Sequence, residues 1–152
     1  MLKPLIPRKL AVGPKPSLST LKNEEITAII DLNQDREEAN EASRIGLTYV
    51  VDSNLEILDN YVDIPVEKLR YLTTKIHQLV SGGHYVYLHC TASKGRSPTV
   101  AVAYLICLGK GKDEAMEMVR SVRPLAWLGY DKEYAASLDK FEKKYQGYCK
   151  GK

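Results

Sequence analysis

A cysteine and an arginine, Cys90 and Arg96, enclose the short segment TASKG. A tight loop of small residues before a helix points backbone N–H groups at a tetrahedral oxyanion, and an arginine adds a planar fork for two of its oxygens. The same positive field favours a thiolate, which is a nucleophile when it faces a bound phosphate. The spacing therefore predicts a phosphate-binding loop in which Cys90 attacks and Arg96 clamps.

The segments on either side of this loop predict a strand and a helix. Residues 85–88 follow two glycines and are β-branched, aromatic and few, as in a buried strand. Residues 99–108 form a longer apolar run, and Pro98 suits the first turn of a helix. The cysteine is thus expected at the end of a strand and the arginine at the start of a helix.

Residues 89–97, HCTASKGRS, match the His-Cys-x5-Arg-Ser/Thr signature of the cysteine-dependent protein tyrosine phosphatases. The flanks VYLHC and GRSPTVAVAYL resemble the small, atypical dual-specificity branch, and weaker similarity at 10–13, 29–32 and 120–124 extends it over most of the chain. The resemblance implies hydrolysis of phosphotyrosine and phosphoserine/threonine in proteins through a cysteinyl-phosphate. It implies no metal or organic cofactor.

The resemblance also assigns roles within the loop. Cys90 attacks phosphorus, Arg96 holds the phosphate oxygens, and Ser97 assists departure of the thiolate, although a helix N-cap would also explain this serine. His89 is expected to hydrogen-bond nearby backbone and to help hold the loop and the field that favours the thiolate. The expected phosphate-binding residues are Thr91, Ala92, Ser93, Lys94, Gly95 and Arg96. Of these, Ser93 stands where the family usually has glycine.

A general acid must protonate the leaving oxygen, and the resemblance places it on a loop upstream of the nucleophile. Asp59, which lies 31 residues before Cys90 (90 − 59), is our choice. Glu56 is the main competitor, because counting forward from Gly46 puts it nearest the usual position of the acid. Asp63 lies 27 residues before the cysteine (90 − 63), but it is the expected N-cap of the next helix.

Other functions remain open at this point. Lys94 resembles the loop lysine of the phosphoinositide phosphatases, so the same chemistry on inositol phosphates, phosphoinositides, phosphoglucans or RNA 5′ ends is an alternative. A phosphate-binding module without turnover is a second, which the intact Cys90 and Arg96 pair argues against. A rhodanese-like sulfurtransferase is a third, which His89 and Ser97 argue against.

The surrounding chain predicts one α/β domain over residues 1–152, with a mainly parallel sheet of about five strands flanked by helices. Strand-like segments are 9–12, 26–32, 47–51 and 85–88, and helix-like segments are 35–45, 64–80, 99–108, 112–123 and 131–145. In such sheets, ligands bind at the carboxyl ends of the strands. The loop after residue 89 is expected at that edge.

Composition narrows the function classes further. The net charge of +3 suits an anionic substrate and gives no reason to expect a nucleic-acid partner. Three widely spaced cysteines suggest a reducing compartment, with Cys107 a buried unpaired thiol and Cys149 in a frayed polar tail. We see no signal peptide, and the run 100–108 is too short to span a bilayer. These features lead us to expect a cytoplasmic monomer.

Overall fold

Within the residues that the computed structural model describes, 2–58, 63–91, 94–127 and 131–151, four parallel strands form one sheet. The strands are β1 (Leu10–Gly13), β2 (Ala28–Asp31), β3 (Thr48–Tyr49) and β4 (Val86–His89). Their order is β1-β4-β2-β3. The parallel sheet is confirmed, with four strands rather than about five, because the other apolar segments are long enough to form helices.

Helices cover both faces of this sheet, as the alternation of segments predicts. They are α1 (Leu18–Asn23), α2 (Arg36–Arg44), α3 (Val66–Ser81), α4 (Arg96–Cys107), α5 (Lys112–Val122) and α6 (Asp131–Tyr145). Side chains from α3 to α6 share the larger core with one face of the sheet, and side chains from α1 and α2 share a smaller core with the other. No described helix has the length and apolar character needed to cross a membrane.

The period of two along a strand decides which core each side chain joins. In β4, Leu88 faces the larger core and Tyr87 the smaller one. Asp31 and His89 are register partners at the carboxyl ends of β2 and β4. The residues that follow these two strands therefore meet at one edge of the sheet.

Helix α4 lies in the middle of the larger core, and all 12 of its residues are buried. It packs against α3, α5 and α6. The helix begins at Arg96, three residues before the apolar run, because Gly95 is its N-cap and its first turn carries the signature residues. A buried helix of this kind gives the loop a rigid support.

The predicted N-cap role of Asp63 is wrong. The residue before a proline favours extended backbone, so the helix cannot start ahead of Pro65, and Pro65 itself occupies the N-cap of α3. The Asp63 carboxylate instead accepts a hydrogen bond from the Ser137 hydroxyl at 2.6 Å. That hydroxyl accepts from the Ile64 N–H at 3.1 Å, so Asp63 ties α6 to the start of α3.

The predictions of an unpaired Cys107 and a frayed tail are also wrong. Cys107, at the end of α4, forms a disulfide with Cys149. The tail is docked beside it, because the Cys149 N–H donates to the Cys107 carbonyl at 2.8 Å and the Gly147 N–H donates to the Ile106 carbonyl at 2.9 Å. A separation of 42 residues gave no signal in the sequence. In the part of the chain described, Cys90 is the free cysteine.

Candidate active site

Cys90 directly follows β4 and is 2 % exposed. Its Sγ lies 3.3 Å from the Oγ of Ser97, a fully buried residue in the first turn of α4. A hydroxyl at this distance can donate to a thiolate, and the N-terminal end of α4 adds its partial positive charge. The structure therefore brings the expected nucleophile and the expected serine within hydrogen-bond distance. Gly95, rather than Ser97, is the N-cap of the helix, so the alternative explanation of this serine as an N-cap is wrong.

Arg96 is the first residue of α4 and is 4 % exposed. Its Nη1 donates to the Oδ1 of Asn33 at 2.7 Å and to the carbonyl oxygen of Ile57 at 2.8 Å. Its Nη2 donates to the Oγ1 of Thr91 at 3.5 Å. The guanidinium thus reaches from the end of the loop back to its beginning, and its plane is fixed by three neighbours.

Asn33 is a site residue that the sequence analysis missed. It lies in the turn after β2, and its Nδ2 donates to the Oγ1 of Thr91 at 3.0 Å while its Oδ1 accepts from Arg96. This one side chain therefore joins both ends of the loop. Knowing that β2 and β4 are neighbours would have pointed to it, because residues after adjacent parallel strands meet at the same edge.

The carboxylate of Asp31 holds the turn that presents Asn33. It accepts from the backbone N–H groups of Asn33 at 2.8 Å and Asp35 at 3.0 Å, and from the Tyr49 hydroxyl at 2.7 Å. Burial, followed by this hydrogen bond, raises the pKa of Tyr49 far above its ordinary value. The turn is therefore fixed by a fully buried, fully engaged carboxylate.

The other end of the loop is anchored by Trp127. The Trp127 N–H donates to the Lys94 carbonyl at 2.5 Å. Its indole N–H donates to the Thr99 hydroxyl at 2.8 Å, and that hydroxyl donates to the Gly95 carbonyl at 2.7 Å. The ring is fully buried. Its contacts leave the Lys94 side chain exposed at the rim of the loop.

Gly95 is required by a close approach rather than by its backbone conformation. A Cβ at this position would lie 2.7 Å from the Tyr134 hydroxyl and 2.9 Å from the ring carbon that bears it. Contacts below 3.0 Å force a shift, so any side chain here would displace the Tyr134 ring from the loop. The two residues between Thr91 and Lys94, Ala92 and Ser93, lie outside the described part of the chain.

His89 and Glu38 form a buried pair behind the nucleophile. The His89 Nδ1 donates to the Cys90 carbonyl at 2.9 Å, and its Nε2 contacts the Glu38 Oε2 at 2.6 Å. Burial alone lowers the pKa of His89, but the hydrogen bond to Glu38 and the negative charge of Asp31 outweigh it, so the pKa is above its ordinary value. The backbone contact confirms the expectation for His89. Glu38 was missed.

The three candidate general acids differ in where they lie relative to the phosphate-binding loop. Asp59 lies outside the described residues. Glu56 is exposed and directly precedes Ile57, whose carbonyl binds Arg96. Asp63 is engaged by Ser137. The upstream loop thus reaches the phosphate-binding loop, as the resemblance implies, while the identity of the acid remains a prediction.

Comparison with known proteins agrees with this geometry. Residues 10–144 match the family described as dual specificity phosphatase, catalytic domain. The chain is 31% identical over 118 residues to phosphatidylglycerophosphate phosphatase PTPMT1 of Arabidopsis thaliana, covering 76% of this chain and 35% of that protein. It is 40% identical over 73 residues to dual specificity protein phosphatase 1B of the same plant, covering 47% of this chain and 42% of that protein.

Solved structures show the same fold. The active form of Tk-PTP superposes with a TM-score of 0.78 at 27% identity, covering 94% of this chain and 97% of that one. Human DUSP28 superposes with a TM-score of 0.73 at 18% identity, covering 92% and 94%. The chain spans about 35–42% of the two curated relatives. It belongs to the dual specificity phosphatase catalytic domain family, as a small atypical member of the cysteine-dependent protein tyrosine phosphatase superfamily.

Proposed function

We propose that this chain hydrolyses phosphotyrosine and phosphoserine/threonine in proteins through a cysteinyl-phosphate intermediate. One observation carries the proposal: the Cys90 sulfur lies at the N-terminal end of a buried helix, 3.3 Å from the Ser97 hydroxyl and next to the clamped Arg96. Family membership supports phosphatase chemistry. The protein substrate, the cytoplasmic location and the monomeric state remain predictions. The Cys107–Cys149 disulfide removes one argument for the location, the reducing compartment that three unpaired cysteines suggested.

The reaction has two displacements at phosphorus. In the first, the Cys90 thiolate forms an S–P bond while the bond from phosphorus to the leaving oxygen breaks and an acid protonates that oxygen. In the second, water attacks phosphorus and gives a proton to the carboxylate left by the acid, and the S–P bond breaks, which releases phosphate and restores both the thiolate and the acid. Arg96 and the loop amides stabilise the equatorial oxygens in both steps. Ser97 donates to the sulfur as it departs.

The acid in this proposal is Asp59. Asp59 is two positions after Ile57 in the sequence, and the Ile57 carbonyl accepts a hydrogen bond from Arg96 at 2.8 Å. This contact brings the described residues just before Asp59 up to the phosphate-binding loop. Glu56, on the other side of Ile57, is the competitor that a variant must test.

A lipid or inositol phosphate is the second candidate substrate. Lys94 stands exposed at the rim of the loop, where it could meet a further phosphate on an inositol ring. One curated relative is a phosphatidylglycerophosphate phosphatase, and the structure of PTPMT1 has been solved with PI(5)P. These observations favour a headgroup phosphate over phosphoglucan or RNA.

A substrate panel decides between the two. We expect the purified chain to hydrolyse phosphotyrosine and phosphothreonine peptides faster than inositol phosphates or phosphatidylglycerophosphate vesicles, and Cys90→Ser to hydrolyse none. Lys94→Ala is compared with Lys140→Ala, which changes an exposed lysine of α6. If the wild-type chain instead hydrolyses the headgroup phosphates faster than the peptides, and Lys94→Ala selectively loses that activity, a lipid replaces the protein as the proposed substrate. No turnover of any ester would contradict phosphatase function.

A further inference from the structure

The His89 ring has two hydrogen-bond acceptors and no donor facing its nitrogens in the described structure. Nδ1 faces a backbone carbonyl, that of Cys90, at 2.9 Å, so it must carry a proton. Nε2 faces the Glu38 carboxylate at 2.6 Å. The ring is therefore either an imidazolium beside a carboxylate or a neutral imidazole beside a protonated carboxyl.

The surroundings of Glu38 favour the ion pair. This residue is 4 % exposed, and its second oxygen, Oε1, is buried with no hydrogen-bond partner in the described residues. A buried carboxylate needs compensation, and the imidazole is the group in place to give it. The Asp31 carboxylate lies 3.8 Å from Nδ1 and adds a second negative charge in favour of the protonated ring.

The other titratable groups around the His89 ring do not take the place of Glu38 as its charged partner. The groups facing it are Asp31 of β2, Tyr49 of β3 through Asp31, Tyr87 and Cys90 in and after β4, and Glu38 of α2. Outside them, Lys15 is paired with Asp35, and the charge of Arg123 acts on Tyr87. The His89 ring is thus within hydrogen-bond distance of the Cys90 backbone, at 2.9 Å from its carbonyl.

We propose that Glu38 is a positioning residue that keeps His89 as an imidazolium behind Cys90, and that the support of the thiolate expected of this histidine depends on that charge. The raised pKa of His89 agrees with this arrangement. The consequence for turnover rests on the proposed function, but the charge of the pair does not. Glu38 does not contact the phosphate site and acts only through His89.

Glu38→Gln tests the proposal with little change in volume. A glutamine amide can donate to Nε2 of a neutral ring, so the contacts survive while the imidazolium loses its partner. We expect the pH midpoint for alkylation of Cys90 by iodoacetamide to rise, because the variant loses the imidazolium that contacts the Cys90 carbonyl. The rise should be smaller than the loss of one isolated opposite charge would give, because the charge of Glu38 is lost as well. Glu37→Gln, which removes an exposed carboxylate from the same helix, should leave the midpoint unchanged.

Nitrogen-15 NMR of the histidine ring gives an answer in the wild-type protein, even where Glu38→Gln does not fold. The proposal expects both His89 nitrogens to be protonated at pH 7.5, above the ordinary histidine pKa of about 6.5, and a neutral ring in folded Glu38→Gln. A neutral ring in the wild type, or an unchanged alkylation midpoint in folded Glu38→Gln, overturns it. Both readouts are independent of turnover, so a charged ring in a protein that hydrolyses no ester supports this proposal and contradicts only the proposed function.

Discussion

Replacing Asn33 by alanine removes the side chain that joins the two ends of the phosphate-binding loop. The variant loses the acceptor for the Arg96 Nη1 at 2.7 Å and the donor to the Thr91 hydroxyl at 3.0 Å. The Ile57 carbonyl still accepts from Nη1 at 2.8 Å, so the guanidinium keeps one of its anchors. We therefore expect a looser arginine in a loop that still forms.

The size of the effect follows from the bond to the guanidinium. A hydrogen bond to a charged group contributes about 1.5–3 kcal/mol, and about 1.4 kcal/mol changes a rate tenfold. If the loss falls on transition-state binding, kcat/KM should drop roughly 10- to 150-fold by the same conversion. The loss should fall mainly on kcat, because the guanidinium must align with equatorial oxygens whose charge redistributes during transfer.

Initial rates with p-nitrophenyl phosphate measure this drop, since that leaving group needs little help from the acid. Asn40→Ala is the matched control, because it makes the same change on the exposed side of α2 and should keep wild-type rates. Asn33→Asp keeps the acceptor for Arg96 but adds a negative charge beside the phosphate, so it should raise KM. Wild-type kcat/KM in a folded Asn33→Ala protein would refute the role of this side chain.

Three further predictions follow from the same structure. Arg96→Lys keeps the charge but loses the planar fork, so steady-state kinetics should show losses in binding and a larger loss in kcat; near-normal kinetics would contradict phosphate clamping. Asp59→Asn should slow phenyl phosphate hydrolysis by about 10²–10⁴-fold and nitrophenyl phosphate much less. If Glu56→Gln shows that pattern instead, Glu56 is the acid. Cys149→Ser opens a loop of 42 residues and should lower the free energy of unfolding in urea by about 4 kcal/mol with kcat/KM unchanged; equal stability would contradict a disulfide in the native protein.

The central chemistry could be predicted from the sequence because its residues are contiguous. Nine successive residues, 89–97, contain the nucleophile, the clamp and the serine, and the apolar runs beside them determine a strand and a helix. Local spacing is enough when one turn of chain builds the site. The contact between Cys90 and Ser97 agrees with that prediction.

The supporting residues could not be predicted because they come from distant parts of the chain. Asn33 lies 63 residues from Arg96, and Glu38 lies 51 residues from His89. In the sequence, Asn33 lies just before the helix-like segment 35–45 and Glu38 lies within it, and nothing there distinguishes them from their polar neighbours. Only the order of the strands brings the turn after β2 and the inner face of α2 against the loop.

The errors have physical causes as well. The preference for extended backbone before Pro65 moved the helix start and freed Asp63 for a contact with α6. The docking of the tail on α4 brought Cys149 to Cys107, which spacing alone could not reveal. The first error therefore has a local cause, the proline, whereas the second depends on a tertiary contact.

Trapping the intermediate tests the central claim most directly. Wild-type protein is mixed with a phosphotyrosine peptide, quenched with denaturant within the first turnover, digested, and searched by mass spectrometry for phosphate on the peptide that contains Cys90. The proposed reaction predicts phosphate on Cys90 in the wild type, more of it in Ser97→Ala because the thiolate departs more slowly, and none in Cys90→Ser. Phosphate on another residue, or full hydrolysis by Cys90→Ser, would contradict nucleophilic catalysis by this cysteine.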